Sequence, residues 1–362
     1  MRAERPLRIA IVSTLWEQVP PKVYGGIELV VSLQADGLVK RGHDVTLFAA
    51  GDALTEAKLE PACPLALRHD PESENLSLWH LFRKNRALEM GQLQKVYARA
   101  DQFDVIHSHS ELFPLPFAKH STTPTVHTLH MDLSPAAGAL FAQYPDQGLI
   151  SISDAQRDPF PELNYIRTVY NAIDVAKHPF SETPQSPPYL AFLGRLSLEK
   201  GVLDAVKVAK QVGLPLKIAG KLGKEDESFY AQNVEPLIDG EQICYIGEVS
   251  NEEKMELLRH AAVTLFPVNW REPFGLVMIE SMACGTPVIG LCNGSVPEVI
   301  EHGKTGFVCQ NVEEIVNAVP KAMALSRQYC RDYVERRFGI QQMLEGYEDA
   351  YQQAILNKQA VS

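Results

Sequence analysis

Two carboxylates stand at a fixed spacing in the C-terminal half of the sequence. Glu272 and Glu280 lie on either side of Phe-Gly-Leu, with seven residues between them. A pair of carboxylates suits a ligand that carries several hydroxyl groups. Glu280 falls among apolar and small residues, where an unpaired charge would be costly. It therefore needs hydroxyl or cationic partners, and an ion pair with an internal Arg or Lys is the alternative to ligand binding.

A short helix is predicted between these carboxylates and the segment Cys-Gly-Thr-Pro. Pro273 fits the first turn of a helix, and Gly285 can supply the left-handed residue that ends one. The first N–H groups of a helix have no intrahelical partner, so they can bind an anion, and a glycine among them lets the backbone come close. The amides in question belong to Phe274, Gly275 and Leu276. With the two glutamates, they predict a site for a polyhydroxylated anion.

Two cations belong to the segment FLGRLSLEKG. Arg195 follows a predicted strand and Lys200 opens the next helix, so both are expected at the carboxyl edge of a sheet, where ligands of parallel sheets bind. Two fixed cations can neutralise a departing diphosphate, although two solvated surface charges are the alternative. Gly25 and Gly26, in the first strand–helix loop, permit close approach to phosphate or sugar. They do not form GxGxxG, so nothing supports a nicotinamide cofactor.

Histidines are concentrated in one region, at His107, His109, His120, His127 and His130. His107 and His109 are predicted on one face of a strand, and His127 and His130 at the end of another. A zinc site would explain such a cluster, but no cysteine or fixed ligand spacing accompanies it, so no metal is expected. A buried, hydrogen-bonded position in the core is favoured for His107 and His127.

The elements that must position these side chains alternate between strand and helix. Apolar β-branched runs predict parallel strands covered on both faces, first at 7–14, 43–51, 103–110, 124–130 and 148–153. A segment with four prolines, 176–190, is the predicted linker. The alternation then restarts, with strands at 189–196, 215–220, 243–249, 263–268, 287–291 and 306–310. Two doubly wound α/β domains that face each other across a ligand-binding cleft are therefore predicted.

Composition sets further limits. A chain of 362 residues is too long for one ordinary core, and 45% hydrophobic with 22% charged residues is typical of a soluble globular protein. The net charge of −11 argues against nucleic-acid binding. The six cysteines have no CxxC spacing and are expected to be reduced, as in the cytoplasm. No apolar run is long enough to cross a bilayer, and residues 1–5 do not resemble a signal peptide.

The motif EPFGLVMIESMACGTPVI resembles the E-x7-E signature of the retaining, nucleotide-sugar-dependent glycosyltransferases of family four, which have the GT-B fold. Six further matches follow the family's order: YGGIELVVSLQADGLVKRGHDVTLF, DVIHSHS, TLH, VYNAID, FLGRLSLEKG and NGSVPEVIEHGKTGFV. One departure is Ser295, where the family often has a glycine. The resemblance implies an acceptor-side Rossmann-like domain of residues 1–175 plus 345–362, to which the last helix crosses back. A nucleotide-sugar-binding domain of residues 176–344 completes the fold.

The resemblance also implies roles for individual residues. Glu280 would hold the ribose hydroxyls and Glu272 those of the donor sugar. Arg195 and Lys200, with the Gly26 loop and the 274–276 amides, would stabilise the leaving diphosphate. His130 would face the donor sugar and the reacting centre. Further candidate positions are His109, Asp132, which would orient His130 or meet the acceptor, Asn171 and Gly194.

The implied activity is transfer of a hexose from a nucleoside diphosphate sugar, in most relatives a UDP-sugar, to an acceptor hydroxyl with retention. Front-face attack is implied, with the departing phosphate accepting the proton, and neither metal nor cofactor is expected. The acceptor stays open between a sugar, a lipid-linked molecule and a small molecule. A sugar-nucleotide epimerase or a phosphorylase on the same fold, and a non-catalytic nucleotide-sugar sensor, are the alternatives.

Residues 76–100 predict a basic amphipathic helix that carries Trp79 and Phe82. Weak peripheral contact with the inner membrane, as in lipid-modifying relatives, is one interpretation of this helix. A solvated helix face packed on its own sheet is the preferred one. The expected location is the cytoplasm, with or without this contact.

Overall fold

The computed structural model describes residues 5–23 and 25–361; Tyr24 of the YGG motif and the N-terminal residues 1–4 lie outside this range. The chain divides into two compact units: unit 1 is Met1–Ala172 with Ile340–Ser362, and unit 2 is Ile173–Gly339. The sequence placed these boundaries at 175 and 345. The proline-rich segment 176–190, predicted as a linker, lies inside unit 2.

Two arginines of the last helix of unit 2 hold this proline-rich segment in place. The Arg331 guanidinium donates to the carbonyls of His178 and Val175 at 2.7 and 3.0 Å, and Arg327 Nε donates to the Ser181 carbonyl at 2.7 Å. Because both side chains replace hydrogen bonds that an irregular segment cannot make with itself, the segment belongs to the body of unit 2.

Unit 1 is a seven-stranded parallel sheet in the order β3-β2-β1-β4-β5-β6-β7. Its strands and helices are β1 (Arg8–Val12), α1 (Gly26–Lys40), β2 (Asp44–Ala50), β3 (Lys58–Cys63), α2 (Pro71–Glu74), α3 (Leu78–Tyr97), β4 (Val105–Ser108), α4 (Leu115–His120), β5 (Thr125–Thr128), α5 (Pro135–Phe141), β6 (Gly148–Ser151) and β7 (Tyr165–Thr168). The chain runs outward from β1 in one direction and resumes at β4 in the other, so the switch point lies between β1 and β4.

Unit 2 repeats this plan with six parallel strands in the order β10-β9-β8-β11-β12-β13. Its elements are β8 (Leu190–Leu193), α6 (Val202–Val212), β9 (Leu216–Ala219), α7 (Glu227–Phe229), β10 (Ile243–Tyr245), α8 (Asn251–His260), β11 (Val263–Phe266), α9 (Leu276–Ala283), β12 (Val288–Leu291), α10 (Val296–Val299), β13 (Gly306–Cys309), α11 (Val312–Ala322) and α12 (Arg327–Arg337). The switch point here lies between β8 and β11.

Alternate side chains of β11 show how helices cover both faces of the second sheet. Leu265 is fully buried in the cluster that α6 and α11 form with the strands. Thr264, which points the other way, makes a 2.7 Å hydrogen bond with the Ser281 hydroxyl of α9. Two covered faces explain why these strands are continuous apolar runs.

The last helix, α13 (Ile340–Val361), packs on unit 1. Leu344, Tyr347 and Tyr351 are buried in the cluster that α1 forms with the sheet. A Cβ at Gly37 of α1 would lie 2.6 Å from Leu344 Cδ1, so the glycine leaves room for the Leu344 side chain to pack directly on α1. The predicted return of the last helix to the first unit is therefore confirmed. Among residues 5–23 and 25–361, no helix is both long and apolar enough to span a membrane.

Candidate functional site

The carboxyl ends of β8 and β11 bring two segments of unit 2 together. Gly194 and Arg195 follow β8, and the loop 267–275 follows β11. The approach is tight, because a Cβ at Gly201 would lie 1.8 Å from the Pro267 carbonyl oxygen, and Gly201 has a φ of 75°. Ligands of open parallel sheets bind at such a switch point, so these two segments form the candidate anion site.

Lys200 and Glu272 meet at this point. Lys200 Nζ lies 2.5 Å from Glu272 Oε2, and Trp270 Nε1 donates to the same oxygen at 2.8 Å. The Lys200 ammonium also lies 4.8 Å from the centre of the Trp270 ring. Glu272 is only 7% exposed, so its charge depends on these two partners. The sequence predicted Lys200 and Glu272 but not Trp270, although Trp270 stands two residues before Glu272.

The helix after Glu272 begins later than predicted. Gly275 is the N-cap, with a φ of 79°, and α9 starts at Leu276, so Pro273 lies outside the helix. Left-handed backbone at Gly275 ends the preceding turn, which is why the helix cannot include Phe274. The Ser295 hydroxyl donates to the Phe274 carbonyl at 2.8 Å, so the serine that this chain has where the family often has a glycine holds this loop in place. The other end of α9 is as predicted, with Gly285 at a φ of 90°.

Glu280 lies within α9, is 4% exposed, and pairs with Lys254 of α8. Lys254 Nζ lies 2.6 Å from Glu280 Oε1. This is the internal ion pair that the sequence left open as the alternative to ligand binding. Lys254 was missed, because nothing in its local sequence indicates that α8 packs on α9. The role of Glu280 toward ribose is therefore a proposal.

Arg195 is not an isolated cation. Its guanidinium lies 3.0 Å from Glu199, 3.2 Å from Glu225 and 3.4 Å from Asp226, and the side chain is 38% exposed. Burial raises the pKa of Asp226, although the Arg195 charge acts to lower it. A bound diphosphate has to compete with these three carboxylates for Arg195. The predicted position of Gly194 is also crowded, since a Cβ at Gly220 would lie 1.8 Å from the Gly194 oxygen.

His109 and His130 follow β4 and β5 of unit 1 and are joined directly. His109 Nδ1 lies 2.8 Å from His130 Nε2, so one nitrogen donates and the other accepts. His109 Nε2 lies 2.7 Å from Gln34 Oε1, and Gln34 Nε2 donates to the Tyr351 hydroxyl at 2.7 Å. Burial lowers the pKa of His130 to about 4 and that of His109 well below its usual value, so both rings are neutral near pH 7.

His107, His127 and Asp132 were also predicted for this region of unit 1. His107 and His127 are buried. His107 is hydrogen-bonded to the Thr128 hydroxyl and His127 to the Gln147 side chain, so their predicted place in the core is confirmed. Within the described residues no hydrogen bond joins Asp132 to His130. His130 is instead hydrogen-bonded to His109 of the neighbouring strand end, and the two roles predicted for Asp132, to orient His130 or to meet the acceptor, stay predictions.

Two predicted positions of unit 1 are Asn171 and the glycine pair. Asn171 is buried, and its Oδ1 has no hydrogen-bond partner among the described residues. Gly26 begins α1, and a Cβ at Gly25 would lie 2.8 Å from Pro21 Cβ. Glu28, in the first turn of α1, is a buried carboxyl that was not predicted from the sequence. Burial raises the pKa of Glu28, and the Thr14 hydroxyl donates to it at 2.6 Å.

In residues 5–23 and 25–361, no three His, Cys, Asp or Glu side chains are grouped as a metal site requires.

Comparison with known proteins identifies the family. Residues 175–337 match the family described as Glycosyl transferases group 1, and residues 24–177 match Glycosyltransferase Family 4. The chain is 28% identical to a glycogen synthase of Mycobacterium tuberculosis, over 84% of this chain and 82% of that protein.

Solved structures show the same fold. AviGT4, a glycosyltransferase involved in avilamycin A biosynthesis, superposes with a TM-score of 0.71 at 23% identity. The match covers 97% of this chain and 98% of AviGT4. HepE of Anabaena, solved in complex with UDP and glucose, has a TM-score of 0.71 at 18% identity, covering 96% of this chain and 100% of HepE. The chain is therefore a glycosyltransferase of the family-four type, with the GT-B fold.

Proposed function

We propose that this glycosyltransferase moves a hexose from a nucleoside diphosphate sugar, most readily a UDP-sugar, to an acceptor hydroxyl, with retention and without a metal. The observation that carries the donor assignment is the meeting of Lys200, Glu272 and the start of α9 at the switch point of unit 2. The complex of HepE with UDP and glucose supports the choice of uridine.

The proposed roles follow from charge and position. Lys200 and the first amides of α9 (Leu276 onward) bind the diphosphate, whose negative charge grows as the glycosidic bond breaks. Donors that are fixed before the reaction stabilise that charge more in the transition state than in the ground state. Glu272, held by Lys200 and Trp270, presents its carboxylate to the hydroxyls of the donor sugar.

Arg195 and Glu280 act under constraint. Arg195 exchanges at least one of its three carboxylate partners for a phosphate oxygen, and Glu280 binds ribose while it stays paired with Lys254. His130, neutral because of its burial, accepts or donates a hydrogen bond at the reacting centre rather than supplying a charge. Retention with no enzyme nucleophile leaves the departing phosphate to take up the acceptor's proton.

One experiment separates this proposal from the epimerase and the sensor. Radiolabelled nucleotide sugars are screened for binding, and the tightest is incubated with and without acceptors in EDTA, while NMR determines the anomeric configuration of the product. We expect transfer only with acceptor, retention, and no loss in EDTA. Glu272→Gln should abolish transfer while UDP still binds, and Glu313→Gln, an exposed carboxylate of α11, is the control. Conversion of the donor alone, or an unchanged rate in Glu272→Gln, would contradict the proposal.

Contact with a membrane is the second part of the proposal. Leu78, Trp79 and Phe82 at the start of α3 are each half exposed or more, and Arg83 lies beside Trp79. An amphipathic surface of this kind binds anionic lipid weakly. Sedimentation with phosphatidylglycerol vesicles should bring down the protein, and Trp79→Ser with Phe82→Ser should abolish this; equal sedimentation of that double variant would contradict membrane contact.

A further inference from the structure

The helix α3 turns a row of polar side chains inward. Asn85, Glu89 and Gln92 are 5%, 5% and 1% exposed, although most polar residues of a surface helix face solvent. The next turn, at Leu93 and Val96, packs in the apolar core against the sheet. We call Asn85, Glu89 and Gln92 the polar face of α3.

This polar face lies at the switch point of unit 1. Gln92 Nε2 donates to the carbonyls of Ser13 and Phe48 at 3.2 and 2.8 Å, and Ser13 directly follows β1. The His109 amide donates to the Val12 carbonyl, so Ser110, two residues beyond β4, and Ser13 follow neighbouring strands at the same edge of the sheet. The charge of Glu111 acts on Glu89, which places Glu89 by the same loop. The polar face of α3 therefore lies where an α/β unit binds its ligand.

Five buried atoms of this region have no hydrogen-bond partner among the described residues. They are Ser13 Oγ, Asn85 Oδ1, Glu89 Oε2, Gln92 Oε1 and Ser110 Oγ. Buried polar atoms are almost always hydrogen-bonded, to protein, water or a ligand, so the five atoms at this edge of unit 1 are the groups whose missing partners a bound ligand would supply. Asn85, Glu89 and Ser110 keep 3–5% of their surface exposed, through atoms other than these five, which are themselves buried.

The chemistry of these atoms selects the kind of ligand. The oxygens of Asn85, Glu89 and Gln92 accept hydrogen bonds, and the two serine hydroxyls both donate and accept. The set needs donors, which the hydroxyls of a sugar or cyclitol provide and a phosphate or carboxylate does not. None of the five side chains is cationic, and the charge of Glu111, joined by that of Glu89 once the pH exceeds its raised pKa of about 7, repels an anion, while the Arg86 charge acts on Glu89 in the opposite sense.

We propose that the polar face of α3, with Ser13 and Ser110, binds the acceptor, and that the acceptor offers a neutral, hydroxyl-rich ring rather than a phosphorylated or carboxylated group. This inference rests on the proposed function, because a donor-only enzyme would need no acceptor site. The ring is either a free sugar or cyclitol, or the terminal residue of a glycan or glycolipid, since both present the same hydroxyls.

The test uses full-length protein, the tightest-binding nucleotide sugar and matched acceptors. Glucose, galactose and myo-inositol are compared with their phosphate esters, and the two hexoses also with their octyl glycosides. We expect kcat/KM to favour the neutral member of each pair; preference for the octyl glycoside assigns a linked acceptor, and preference for the free sugar a soluble one. Asn85→Ala and Glu89→Gln should raise the acceptor KM about tenfold, the effect of one lost hydrogen bond, and change the donor KM less than about twofold.

Glu74→Gln, on an exposed carboxylate of α2, is the matched control and should leave both KM values unchanged. Preference for the phosphate esters, failure of every neutral acceptor, or an unchanged acceptor KM in both variants would overturn the inference. Donor binding and slow donor hydrolysis by the wild-type protein are recorded in parallel. Their persistence in any of those cases would show that the acceptor site, not the donor function, is wrongly assigned.

Discussion

Glu89 should make unit 1 less stable as the pH rises. Burial raises the pKa of its carboxyl from 4.5 to about 7, opposed by a hydrogen bond from Asn85 and the charge of Arg86, and assisted by Glu111. A raised pKa means that the folded state holds a proton that the unfolded state releases. The contribution of the protonated Glu89 carboxyl to the free energy of unfolding is therefore complete below pH 4.5 and is lost as the pH rises through about 7. A shift of this size corresponds to about 3 kcal/mol.

Glu89→Gln removes this titration while it keeps the shape of the side chain. The variant should match the wild type within about 1 kcal/mol at pH 5 and exceed its free energy of unfolding by up to about 3 kcal/mol at pH 8.5. Urea unfolding is followed in a Trp270→Phe background, in which tryptophan fluorescence comes from Trp16 and Trp79 of unit 1 alone. Glu74→Gln is the control. Parallel stability curves for the wild type and Glu89→Gln between pH 5 and 8.5 would refute the reasoning.

Two further outcomes are expected. Arg331→Ala removes three hydrogen bonds, to the carbonyls of Val175, His178 and Ala283, although Val175 keeps the His178 amide as a donor. Unit 2 should therefore lose about 3 kcal/mol of stability, measured through Trp270 fluorescence, and a loss below about 1 kcal/mol would contradict this. Gln34→Leu removes the amide oxygen that accepts a hydrogen bond from His109, whose ring lies beside His130. In transfer assays kcat should therefore fall about tenfold while the donor KM stays unchanged. A raised donor KM at constant kcat would contradict this role of Gln34.

Most of the fold could be predicted from sequence because central parallel strands are apolar on both faces. The two strands that were missed, β3 and β7, lie at the edges of the first sheet. β3 carries Lys58, Glu60 and Pro61, and β7 carries Arg167, as edge strands tolerate. Their sequences therefore lack the apolar run by which the inner strands were recognised.

The candidate site was predicted less completely, because ion pairs depend on tertiary packing. The meeting of Lys200 with Glu272 follows from two strand ends that the sequence marks. The pairing of Glu280 with Lys254 depends on how α8 packs against α9, and the sequence pattern of neither helix predicts this packing. The polar face of α3 has helical spacing, but polar residues at that spacing usually face solvent, so only the structure shows that Glu89 is buried.

The central claim is that the switch point of unit 2 binds the diphosphate of a nucleotide sugar. A crystal structure of the protein with UDP tests it most directly. We expect a phosphate oxygen within about 3 Å of Lys200 Nζ and of the first amides of α9, with Arg195 turned away from at least one of its carboxylate partners. UDP bound at any other place, with the Lys200–Glu272 pair untouched, would contradict the claim.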